Sequence, residues 1–486
     1  MIQLVIAIGL LGVFATVAQA AEPAVDVTPT LLTSTLPAIA LAWLVPIGIM
    51  LVALGGVPQW HAREVALTGL AALGLAAIGY WAVGFAIQFG GIGLFDLSPD
   101  LQGLVWEWSA LGPDWGPGWG MIGLAGWVLS GPAATPLAQL LFLSHLPWVT
   151  TAVLIPLLSL RGRTPTLVSL TAGALTASVL YPLAGNWVFG GGWLANLGLN
   201  LGLGHGAVDF ASATAHLVGA MVALSGILIF CPRRVEEDEP ELPPVHLPIL
   251  AAAGAILVAA GQSGWLLANP LIQLPPAAVV RMVVNGLLAA AGGALAPLFY
   301  TWFVAGRHDA LMTARGVVSG AIVVLAGAPF FPTWGALALG LAAGFVALLG
   351  GFVVDHVLRW DDPTAAVAVH ALAAILALSA VGLLADGTVG AGWNGIGPDQ
   401  YLAVPGQGVS GLWVASTMQP DWPGQLQAQL VGTVSIAVVS FALASIALAV
   451  VGLITRAFGA SVPSLDDTEQ DEALEPLSAS ESYPPL

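Results

Sequence analysis

Eleven stretches of this chain are apolar for long enough to rule out most ways of folding it. They run over residues 31–57, 65–89, 136–160, 164–189, 209–230, 247–269, 275–304, 316–331, 335–354, 364–384 and 424–454. A helix needs roughly 18 to 20 such residues to cross the hydrocarbon of a bilayer, and only the eighth stretch falls short. In lipid every backbone N–H and C=O needs a partner within the protein, which leaves helices and closed barrels. Barrel strands would alternate in polarity over about ten residues, whereas these runs are continuously apolar. Charged residues make up 8% of the 486, against about 25% in an ordinary soluble protein. The expected class is an all-α polytopic protein of the lipid bilayer with eleven transmembrane helices. Its 60 glycines suit the close helix approach that packing in lipid requires.

The ends and the charges predict an orientation. Residues 2–17 are apolar and Ala18-Gln19-Ala20 precedes Ala21, the pattern of a signal peptide over 1–20, although no basic residue follows Met1. All ten basic residues are arginine. Arg63, Arg161, Arg163, Arg233, Arg234, Arg307, Arg315, Arg359 and Arg456 fall on alternate loops, and Arg281 alone lies opposite. The positive-inside rule then places the N-terminus outside and the C-terminus inside, in a bacterial inner membrane. A transmembrane domain over 31–456 and an acidic cytoplasmic tail over 457–486 follow. The tail, disordered by composition, reads as a solvated terminus or as an element that binds a cytoplasmic regulatory protein. The single cysteine, Cys231, excludes an intramolecular disulfide. No cofactor, metal or nucleic-acid partner is expected.

Within this apolar background one block occurs twice. Asp209 to Ser225 reads DFASATAHLVGAMVALS, and Asp362 to Ser379 reads DPTAAVAVHALAAILALS. Each has an Asp, a histidine seven or eight residues on, and Ala-Leu-Ser beyond. The blocks open the fifth and tenth spans, so two five-helix halves with an odd number of crossings would run antiparallel. Such inverted repeats place functional sites near the midplane. At about 1.5 Å per residue, His216 and His370 lie roughly 10 to 12 Å from opposite faces of a core about 30 Å thick. The spacing predicts a midplane histidine pair. The aspartates also suit helix N-caps, Asp362 with Pro363 at the first helical position.

At these residues the chain resembles the ammonium transporter family (Amt/Mep/Rh). The resemblance rests on Phe189-Gly190-Gly191-Gly192-Trp193-Leu194, on His205-Gly206-Ala207-Val208-Asp209-Phe210-Ala211 with His216, and on Gly264-Trp265 with Asn269. Asn285-Gly286-Leu287 and Asp361-Asp362-Pro363 with His370 extend it over nearly the whole chain. It implies a homotrimer with one path for ammonium or ammonia per subunit, lined by His216 and His370. Asp209, Phe189 and Trp187 would form or support an outer vestibule, with His145, Trp265 and Asn269 as further site residues. A dry pore opposes a bare cation but admits neutral ammonia, for which neutral imidazoles offer donors and acceptors.

Departures concern the outer side. Phe189 stands where the family has tryptophan, Leu146 and Ala268 where it has gate phenylalanines, and Leu271-Ile272 where it has a small Gly-Ser pair. An aromatic cage is worth about 0.5 to 2 kcal/mol to a bound cation. Trp106, Trp108, Trp115, Trp119 and Trp127 in the outer loop would either compensate or form an interfacial belt. Three readings stay open: a conducting transporter, a non-conducting ammonium sensor, and a pore for another small neutral molecule. An enzyme is not expected, because two histidines without a third ligand or nucleophile make neither a metal site nor a hydrolytic one.

Overall fold

The structure, a computed structural model, describes residues 29–56, 62–96, 98–112, 115, 118–230, 246–272, 274–304, 306 and 308–458. The signal segment 1–20, Cys231, Arg233, Arg234, Arg307 and the tail beyond 458 lie outside the described residues. In chain order the helices are α1 (Leu31–Gly55), α2 (Arg63–Leu94), α3 (Pro136–Leu160), α4 (Thr166–Val188), α5 (Ala213–Phe230), α6 (Leu247–Leu267), α7 (Pro276–Phe303), α8 (Ala310–Val323), α9 (Thr333–Val357), α10 (Ala366–Leu384) and α11 (Gly424–Ala457). Ten of them are long and apolar enough to cross a membrane, and α8 is shorter.

The arrangement is a bundle whose most enclosed helix is α3, buried along 89% of its apolar window, against 22% for α11. Helix α5 packs between α3 and α11 and against the start of α10. Helices α1 and α6 cross at their glycines: a Cβ added at Gly48 would lie 2.4 Å from the Gly254 carbonyl oxygen. Nothing larger than hydrogen fits there, as close packing in lipid favours. Two short hairpins, β1 (Glu107–Trp108) with β2 (Ile122–Gly123) and β3 (Gln400–Tyr401) with β4 (Val404–Pro405), belong to the loops before α3 and α11.

The eighth stretch differs from the sequence expectation of a helix over 316–331. Its helix starts earlier, capped by the Asp309 side chain on the Met312 N–H, and ends at Val323. Beyond that point the backbone serves other partners. Leu325 and Ala326 carbonyls accept the Ala211 and Phe210 N–H groups. Ala328 and Phe331 carbonyls accept the Asn285 amide, both at 2.8 Å, and Pro329 accepts Arg281. Carbonyls used sideways cannot continue a helix. The same region explains the one arginine that breaks the charge pattern, because Arg281 is paired with Asp386 at 2.8 Å.

Helix α11 anchors the segment before α5 through two buried amides. Gln425 accepts from the His205 N–H and donates to Gly206, and Gln429 accepts from the Val208 N–H. Gln429 also donates to the Val208 and Leu378 carbonyls at 2.8 and 2.7 Å. Removing that amide strands the Val208 N–H and C=O, each costing about 1 to 3 kcal/mol when buried. Gln429→Leu is therefore expected to lower the melting temperature of the detergent-solubilised protein by several degrees. An unchanged melting curve would show that the clamp is dispensable.

Candidate functional site

The two histidine-bearing helices begin in the same way. Asp209 accepts the Ala213 and Thr214 N–H groups at 2.9 and 2.8 Å, one on each carboxylate oxygen. Asp362 accepts the Ala366 and Val367 N–H groups at the same 2.9 and 2.8 Å. Three residues after each aspartate the backbone turns left-handed, at Ser212 (φ 60°) and Ala365 (φ 55°). A non-glycine residue there is uncommon, and the double cap is what holds it. Each carboxylate thus satisfies two of the four orphan donors of its helix and sits at the positive end of the dipole.

The blocks differ by one residue, and the structure shows where it goes. His216 lies seven residues after its aspartate, in regular helix, and His370 eight after its own, on a π turn over Ala366–Ala371. A π turn takes up one extra residue and returns the helix to its phase. The imidazoles consequently meet: Nδ1 to Nδ1 is 3.0 Å, and the rings lie 3° from parallel with centroids 5.2 Å apart. At that separation one Nδ1 carries the hydrogen and the other accepts it, so the two neutral rings hold opposite tautomers.

Cavities flank the pair on both sides. One is lined by His216, Trp265, Gln262, Val45, Val258 and Ile322, among others. The other is lined by His370, Arg315, Thr364, Ile49, Val52 and Leu158, among others. Along α1 the lining moves from Val45 to Ala53, and along α8 from Ile322 to Arg315, about 10 to 12 Å of helix in each case. The histidines therefore stand between two small, mostly apolar cavities.

Beside His216 stands a column of rings. Trp265 lies on His216 (5.4 Å, 19°) and Trp148 on Trp265 (6.0 Å, 18°). His145 then meets Trp148 edge-on at 4.5 Å, with Phe89 and Phe189 at 4.8 and 6.0 Å from it. The His145 Nδ1 lies 3.0 Å from both the Leu141 carbonyl and the Ser144 hydroxyl, and its Nε2 is buried with no partner. Phe189 and His145 thus join the same cluster as the histidine pair. Trp187 does not: it packs on Trp193 and donates to Met121. Asn269 caps a turn by accepting the Leu271 N–H. Ala268 packs with Ala38, Ile39 and Leu140, while Trp106, Trp108, Trp115 and Trp127 stand exposed in the loop before α3. Among the described residues, no group of three or more metal-ligating side chains occurs.

Trp148 was not singled out by the sequence reading, although it lies one turn after His145 and is fully buried. Glu107 was missed too, being one acid in a loop of several. Its Oε2 has no partner and sits over Gly91 and Gly120, where an added Cβ would lie 2.6 and 2.0 Å away. Burial pushes its carboxyl from the ordinary 4.5 up to about 7.

A polytopic helical membrane protein with a buried histidine pair between two apolar cavities is the class that fold and site define. The chain belongs to the ammonium transporter family, whose family model matches residues 34–461. Members of this family are transporters, not enzymes. The ammonium transporter Amt2 of Archaeoglobus fulgidus is 32% identical over 286 residues, 58% of this chain and 60% of that protein. The ammonium transporter Amt1 of Haloferax mediterranei is 27% identical over 256 residues, 49% of this chain and 48% of that protein. The chain thus spans about half to three-fifths of these relatives. Among solved structures, the Sensor Amt Protein superposes with a TM-score of 0.70 at 19% identity, covering 93% of this chain and 98% of that one. Mep2 of Candida albicans gives 0.67 at 19% identity, covering 90% and 87%. These two likenesses show the fold.

Two outcomes test the site's supports. Asp209→Asn and Asp362→Asn each leave one N–H without its oxygen, at a cost of about 1 to 3 kcal/mol, and should lower the melting temperature by similar amounts. A large effect for one and none for the other would break the equivalence of the caps. For Glu107 the native state keeps its proton between pH 4.5 and about 7, where the unfolded chain loses it. Stability should therefore fall as pH rises through that window, and Glu107→Gln should flatten the fall in melting curves taken from pH 4 to 8.

Proposed function

We propose that this chain carries ammonium or ammonia across the bilayer through the two apolar cavities that His216 and His370 separate. The observation that carries the proposal is the 3.0 Å imidazole pair with a cavity on either side. Hydrocarbon-like walls oppose a bare cation, so a nitrogen base crosses most easily as neutral ammonia after giving up a proton. Between its two opposite tautomers the pair offers that molecule both a donor and an acceptor. Asp209 supports the outer block through its cap. Phe189, His145 and Trp265 belong to the approach, and Trp187 and Asn269 support it from further away. The reading takes α8 as the eleventh crossing and the two Asp-to-His blocks as halves of an inverted repeat. The arginines favour an N-terminus outside and a C-terminus in the cytoplasm of a bacterial inner membrane. The family resemblance favours a homotrimer with one path per subunit.

A sensor reading has one specific observation in its favour. The Trp148 and Trp265 rings overlap on the outer side of His216, where the sequence resemblance implies two phenylalanines that gate the path. A closed ring stack suits binding without passage. Purified protein reconstituted in vesicles separates the two. Transport predicts ammonium-driven uptake that drops at least about tenfold in the His216→Ala, His370→Ala double variant, which loses both polar stations. Ammonium binding by calorimetry with no wild-type flux would favour the sensor. Undiminished, equally selective flux in the double variant would sink the histidine mechanism.

A further inference from the structure

The cavity below His370 ends on a charge. Arg315, in the first turns of α8, lines it together with His370, while most of the remaining wall is aliphatic. A second cavity begins on the other side of the same guanidinium, lined by Asp355, His356, Asp362, Tyr300 and Met312 as well as Arg315. The two cavities share Arg315 and Val369. The guanidinium is therefore a partition between an apolar chamber and a second one that also holds Asp355 and His356. It is held in place by donating to the Pro363 carbonyl, next to the capping aspartate of α10.

We infer that Arg315 is the inner selectivity element of the path: its fixed positive charge admits neutral ammonia to the chamber of His370 and turns back cations. This rests on the transport reading above and specifies where on the path charge is refused. Ammonium, sodium and potassium would collect beside Asp355, then meet the guanidinium before reaching apolar wall. Two like charges about 6 Å apart at an effective permittivity of about 20 repel enough to lower occupancy about a hundredfold. Asp355, Asp362 and Asp309 around Arg315 outnumber the one guanidinium, so the barrier is local to the constriction and its effect falls well below that bare-pair figure. An arginine used as a charge barrier in a narrow pore is an established physical device, and here it stands beside a pore-lining histidine.

The competing role is purely structural, with Arg315 acting as a tie between α8 and Pro363. Three variants in reconstituted vesicles separate the roles: Arg315→Lys keeps the charge, Arg315→Gln keeps a donor for Pro363 without charge, and Arg315→Met keeps neither. The readouts are the ratio of ammonium current to neutral ammonia flux, and the leak of sodium and potassium under an imposed potential. The barrier predicts that Gln and Met variants raise the current ratio and the leak about tenfold, while Lys stays near wild type. A Gln variant as tight to cations as wild type would overturn the inference, and so would a Lys variant as leaky as Met. If Met does not fold, Gln and Lys still decide. If wild type carries no ammonia at all, the transport reading fails separately, and the sodium and potassium leak still tests the barrier.

Discussion

Everything at the centre of this molecule depends on two buried carboxylates, each gripping the first free N–H groups of a helix. Without them the starts of α5 and α10 would be strongly positive dipole ends inside the protein, with orphan donors and a left-handed residue to support. With them, both helices begin at a fixed depth. That depth sets the histidines: seven regular residues on one side, eight with a π turn on the other. The two caps repeat the same bond lengths, 2.9 and 2.8 Å, which is the geometric form of the sequence duplication. The π turn is what lets a one-residue mismatch coexist with rings only 3° from parallel.

From that contact the surroundings change in two different manners. On one side, His216 is followed by aromatic faces, Trp265 and then Trp148, with His145 among the rings beyond. On the other, His370 is followed by aliphatic side chains until Arg315. Aromatic faces are attractive to cations and aliphatic ones indifferent, so the two halves are unequal for a charged solute although their helices begin alike. The symmetry of the caps does not extend to the walls.

Most of the helices were legible because their signal is length of apolar run, which survives any detail of packing. Span three was read to the residue at 136–160, and the others to within a few residues. The eighth was misjudged because its end is a tertiary event: apolarity continues through 324–331, but those carbonyls are taken by Phe210, Ala211, Asn285 and Arg281. The histidine pair was legible because a duplicated Asp-to-His spacing is a local pattern. Trp148 and Glu107 were not, since each acquires meaning only from neighbours distant in sequence. The tryptophans of the loop before α3 drew attention by their number, yet four of them stand exposed. A fully buried tryptophan inside an already apolar helix gives no contrast to read.

The outer departures and the ring column are best understood together. Leu146 and Ala268 stand where the sequence resemblance implies gate phenylalanines, and Ala268 packs against the start of α1. Aromatic bulk is nonetheless present on the approach, contributed by Trp148 from α3 and Trp265 from α6. Their rings lie 18° from parallel and continue the plane family of the imidazoles, so the approach is built from the same stacked surface as the pair itself. Offset stacking at centroid spacings of 5 to 6 Å is a weak interaction, worth on the order of 1 kcal/mol beyond area burial. That figure covers the stacking alone: both tryptophans are fully buried, so turning either ring also displaces the side chains packed on it. In the transport reading, the Trp148–Trp265 stack must therefore give way before a solute reaches His216, while the caps keep the histidine pair fixed behind it.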